Sequence, residues 1–147
     1  MATARKMTWG VAGAAVAALM AVLVAQPAAA SDGLQTAKPG NPNSHTKFCV
    51  ADKAGTAWGC FQPYGEVFRM VDLKKDGYGA FIYWSSSSGR SGQIHDHLGK
   101  GRWGYVNKSF GESTKITFRT CSLVGERPAG CGNSRTVPAG LPSAEPA

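Results

Sequence analysis

The chain is 147 residues long, 43% hydrophobic and 17% charged, with a formal net charge of +7; that length permits one small domain and excludes a large core. The positive charge points to anionic partners such as cell-wall polymers, phospholipid heads or nucleic acid. Beyond residue 30 only Lys74 and Lys75 are adjacent among the basic residues, a scatter that excludes the one-faced footprint of a specific nucleic-acid binder.

The sequence opens "MATARKMTWGVAGAAVAALMAVLVAQPAAASDG". Arg5 and Lys6 precede an apolar run from Val11 to Ala25, and Pro27 and the small residues up to Ala30 follow it, which is the order of a secretory signal peptide. The run is shorter than the about 20 residues of a spanning helix, and no basic stop-transfer cluster follows it. Residues 1–30 are therefore read as a cleaved signal peptide, and the product as secreted and extracellular, without a transmembrane anchor.

Residues 31–46, "SDGLQTAKPGNPNSHT", have no apolar periodicity and contain Pro39 and Pro42, so they read as a flexible lead-in. The foldable domain is expected over residues 47–131. Within it, "KFCVA", "TAWGCFQ", "EVFRMVD", "YGAFIYWS", "QIHDHL", "RWGYVNK" and "TKITFRTCSLV" are short runs rich in Val, Ile, Thr and aromatics, separated by Gly, Asp, Ser and Asn. These predict an all-β domain, a small antiparallel sandwich or partly closed barrel of six or seven strands. In "TKITFRTC", Ile116 and Phe118 share one face while Lys115, Thr117 and Arg119 share the other. In "YGAFIYW", Ala80, Ile82 and Trp84 make one apolar face, and Phe81 and Tyr83 make a second that is either covered or a binding surface. Between strands, "DLKKDG" reads as a hairpin turn; two lysines stand where a calcium loop requires oxygen ligands. Residues 132–147, "GNSRTVPAGLPSAEPA", read as a disordered Pro/Ala-rich tail.

All four cysteines, Cys49, Cys60, Cys121 and Cys131, lie beyond the leader, and an even count in an exported chain implies disulfides. Four cysteines allow three pairings. Local closure, Cys49 to Cys60 and Cys121 to Cys131, is expected because both intervals are short and contain glycine. Neither pair has the close spacing of a structural zinc site. An internal echo links "WGCFQPYGE" from Trp58 to "WGYVNKSFGE" from Trp103, either a half-repeat or a coincidence of turn punctuation.

No stretch combines a nucleophile, a base and an oxyanion donor. In "SGQIHDHLG", His95 and His97 are two apart on a predicted strand and so share a face, the geometry for holding one metal ion. A third ligand would have to be a carboxylate brought by folding. Glu66 and Glu112 occupy matching places in the echo and are the candidate acid/base pair of a glycosidase-like enzyme. Glu66, Arg69 and either histidine are the residue types of a ribonuclease-like one.

The Ala-rich leader, "GCFQPYGEVFRMVD", "DGYGAFIYW", "GKGRWGYVN" and "ITFRTC" resemble small secreted, cysteine-containing β-rich proteins of actinomycete bacteria such as Streptomyces, over roughly Cys49 to Cys121. The resemblance implies a bacterial, secreted, disulfide-bonded β domain and no particular activity. The leading expectation is a non-catalytic extracellular binding module, monomeric and without a cofactor. Its expected contact surface is Phe81, Tyr83, Trp103 and Arg119, suited to a sugar ring or an anionic envelope polymer. The alternatives are a small secreted hydrolase using Glu66, Glu112 and His95 or His97, and a secreted inhibitor or antibacterial effector.

Overall fold

A computed structural model describes residues 31–76 and 78–140. The signal peptide read over residues 1–30, Gly77 and residues 141–147 of the tail lie outside the described residues. The elements are β1 (Ser31–Thr36), β2 (Lys38–Pro39), β3 (Phe48–Ala51), β4 (Ala57–Gln62), β5 (Val67–Asp72), β6 (Ala80–Ser86), β7 (Ser91–Asp96), β8 (Trp103–Asn107), β9 (Lys115–Val124), β10 (Arg127–Ala129) and β11 (Arg135–Pro138). Among the described residues there is no helix, and therefore none long and apolar enough to cross a membrane.

The strands form two sheets, so the domain is an all-β sandwich whose sheets do not close into a barrel. One sheet runs β1-β7-β6-β9-β10, with β11 also paired to β9; the other runs β2-β8-β5-β4-β3. Alternation then builds the core. Ile82 and Trp84 from β6, Ile94 from β7 and Ile116 and Phe118 from β9 meet Phe61 from β4 and Phe68 and Met70 from β5, all of them buried. The "TKITFRTC" strand turns Ile116 and Phe118 inward and leaves Lys115 and Arg119 exposed, as its alternation predicts.

Three expectations are corrected. The lead-in contributes two strands: β1 pairs in parallel with β7, Thr36 opposite His95, and β2 pairs with β8. The backbone ladder and an ion pair from Asp32 to Arg90 order it, which apolar periodicity does not report. The tail is likewise ordered to residue 140. β11 pairs with β9, and Val137 and Ala139 are buried against the core. These added edges, with β10, raise the strand count among the described residues to eleven. The segment "DLKKDG" is also not a hairpin turn, because β5 ends in one sheet and β6 begins in the other.

Disulfides join Cys49 to Cys60 and Cys121 to Cys131, the local pairing expected. The echo acquires a physical meaning in the register. Gly59 and Gly104 lie on either side of Met70, and Trp58 and Trp103 lie on either side of Val71. Each Trp-Gly pair therefore places an aromatic on the outer face of the five-stranded sheet and a gap on its inner face. A Cβ at Gly59 would meet Ile82 and Thr120, and one at Gly104 would meet Ala37 and Leu98.

Candidate functional site

One end of the sandwich is built by two crossovers between the sheets, 73–79 after β5 and 97–102 after β7. Both strands end in a buried aspartate whose carboxylate accepts the N–H two residues on: Lys74 N–H donates to Asp72 at 2.9 Å, and Leu98 N–H donates to Asp96 at 2.7 Å. These side-chain turns redirect the chain from one sheet to the other. Gly101 N–H donates to the Asp72 carbonyl at 2.7 Å and ties the two crossovers together. Burial pushes both carboxyls above the ordinary range; the turn N–H groups pull against it, and neighbouring carboxylates add to it.

Between the crossovers lies an open cavity of about 660 Å³ lined by Lys74, Lys75, Lys100, Tyr78 and His97, with Asp72 among its lining residues. Lys74 pairs with Asp76 at 3.3 Å, whereas Lys75 and Lys100 make no ion pair among the described residues. The cavity is therefore cationic. Tyr78 is 41% exposed and lines the cavity beside these ammonium groups.

His95 and His97 stand at the same end. Ile94 and Asp96 are buried, so His95 and His97 project from the other side of the strand. Their rings lie 4.5 Å apart between centroids, with His95 Nδ1 3.1 Å from His97 Nε2. His95 Nε2 lies 2.5 Å from Thr36 Oγ1 on β1. The third partner is Glu126, carried in by the β9–β10 hairpin; one ligand atom from each of the three residues lies within 4.8 Å of the others. Among the described residues this is the one group of histidine, cysteine and carboxylate side chains close enough to hold a single ion. Burial, and then the neighbouring His97, lower the His95 pKa, while Glu126 opposes them.

The other expected site residues are dispersed. Phe81 is 3% exposed, packed with Cys121 and Leu123, and is unavailable to a ligand. Tyr83 is half-buried with the Arg119 guanidinium 5.1 Å from its ring centre. Both lie in the six-stranded sheet and Trp103 in the five-stranded one, so the expected contact surface does not form as one patch. Glu66 and Glu112 do share a cavity, of about 450 Å³. Glu66 there accepts the Phe110 N–H at 2.8 Å and has a φ of 53°, the role of a loop brace. Glu66 precedes β5 and Asp72 ends it, which separates this cavity from the histidines by about 20 Å of strand. Arg69 is engaged by Gln62 and the Asn41 carbonyl. The four hydrolase candidates do not converge. Lys100, Tyr78 and Glu126 were not expected at the site; the crossovers and the hairpin that carry them leave no local signal in the sequence.

Compared with known proteins, the chain matches no family model, no curated protein and no solved structure, so the geometry alone carries the functional reading.

Proposed function

We propose that this chain is a secreted, non-catalytic binding module that docks on an anionic polymer of the bacterial cell envelope. The observation that carries the reading is the convergence of Lys74, Lys75 and Lys100 with the exposed Tyr78 on one open cavity. Ammonium groups with solvent access attract phosphate or carboxylate without burying charge, and the exposed Tyr78 ring offers a face for stacking on a sugar ring. The leader-like first 30 residues and the two disulfides support an oxidising, extracellular setting. The resemblance to secreted actinomycete proteins agrees with it.

The test is cosedimentation of tag-free protein from residue 31 onward with insoluble peptidoglycan that carries, or has been stripped of, its phosphodiester polymers. Retention on the polymer-bearing wall at low salt, released as salt rises, is the expected result. The triple variant Lys74→Gln, Lys75→Gln, Lys100→Gln should weaken retention at least tenfold, and Tyr78→Ala should weaken it at any salt. Equal retention by stripped wall, or a triple variant that binds like the parent, overturns the proposal.

A further inference from the structure

We infer that His95, His97 and Glu126 form a site for one divalent transition-metal ion of the zinc class, placed at the rim of the lysine cavity. The inference rests on the geometry of these three side chains and not on the polymer-binding reading.

The two imidazoles already stand at chelating distance. Two nitrogens each about 2.05 Å from a tetrahedral zinc ion lie about 3.3 Å apart, and His95 Nδ1 and His97 Nε2 are 3.1 Å apart. Thr36 Oγ1 lies 2.5 Å from His95 Nε2; in the tautomer in which Nε2–H donates to it, the Nδ1 lone pair faces His97, as in metal sites where an outer partner orients a ligating histidine.

Glu126 supplies what a simple histidine–histidine hydrogen bond does not need, a carboxylate on the same side. It is delivered from a distant part of the sequence by the β9–β10 hairpin, and the Cys121–Cys131 disulfide closes the base of that hairpin. A covalent closure at the base limits how far the tip can wander, which is the preorganisation a binding site requires. Two imidazoles with one carboxylate suit zinc, copper or nickel, whereas calcium and magnesium take oxygen ligands throughout. Three protein ligands leave a fourth position for water or another donor. Because His97 also lines the lysine cavity, a bound ion adds positive charge to that rim.

The experiment is titration of the tag-free, disulfide-intact protein from residue 31 onward with zinc alone, followed by calorimetry, with cobalt(II) absorption as a second readout of ligation. One zinc per chain is expected. Glu126→Gln should weaken binding at least tenfold, His97→Ala should abolish the saturable event, and Thr36→Val should weaken it about tenfold. His45→Ala should leave it unchanged, since His45 stacks on Tyr64 at 3.8 Å. Near-ultraviolet circular dichroism of each metal-free variant separates loss of ligation from loss of folding. The absence of a saturable one-to-one event, or binding that survives His97→Ala or is unaltered by Glu126→Gln in a folded variant, overturns the inference. Neither result bears on wall binding, which is measured without added metal.

Discussion

Lys108 shows how a single residue ties the first strand to the body of the domain. Its Nζ is almost wholly buried, 4.6 Å from the centre of a Trp84 ring, 2.7 Å from Asp32 and hydrogen-bonded to Gln35. Asp32 also meets Arg90 at 2.7 Å. The hydrogen bond from Arg90, opposed by burial and reinforced by Lys108, holds the Asp32 carboxyl below its ordinary value near 3.8. The sign follows directly: with a lowered native pKa, the unfolded chain binds the proton more readily, so stability falls as the pH drops. The contribution is fully present above about pH 5 and is lost progressively below it. Asp32→Ala leaves the Lys108 ammonium buried without its anion. It should cost about 2 to 3 kcal/mol at pH 7, less than a fully buried pair because Arg90 is one-third exposed. Urea unfolding across pH 3 to 7 checks both points. The parent's loss of stability toward acid should be shallower in Asp32→Asn, and an identical slope in the two proteins would refute the account.

At the scale of elements, the strands legible in the sequence are those whose side chains do the pairing work. "EVFRMVD", "YGAFIYWS" and "TKITFRTCSLV" carry β-branched and aromatic residues in alternation, and all became strands that line the core. The illegible ones, β1, β2 and β11, are held by backbone ladders and isolated contacts, so "SDGLQT", "KP" and "RTVP" contain no periodic signal. The site follows the same division. His95 and His97 were visible because strand alternation is local. Glu126 was not, because only the β9–β10 hairpin brings it to them, and the lysine cavity needs two crossovers whose adjacency is a tertiary fact. The cost of misreading the tail is measurable. A chain ending at Ser134 loses the β11 ladder and the burial of Val137 and Ala139, together worth about 3 kcal/mol. For a domain of this size that is a fall of about 15 °C in Tm, to be read by circular dichroism. A truncated chain that melts with the parent would show that β11 adds nothing.

For the molecule as a whole, the two disulfides divide the labour between the sheets. Cys49–Cys60 links β3 to β4 at directly opposed positions in the five-stranded sheet. Cys121–Cys131 links β9 to the segment beyond β10 and packs beneath Phe81 on the outer face of the six-stranded sheet. The sequence separations of 11 and 10 residues each correspond to about 2.7 kcal/mol of unfolded-state constraint. Against a typical total of about 5 to 15 kcal/mol, losing both bridges should abolish cooperative unfolding at 37 °C, while losing either one should lower the midpoint and preserve the transition. The bridges differ in what else they hold. Cys49→Ala with Cys60→Ala removes a staple from the sheet that carries none of the three histidine-site ligands, so zinc affinity should remain that of the parent. Cys121→Ala with Cys131→Ala frees the base of the hairpin bearing Glu126, so zinc affinity should fall several-fold at a temperature where both variants are folded. Calorimetric titration of the two double variants side by side decides it: equal zinc affinities would mean that the hairpin holds Glu126 in place without its bridge.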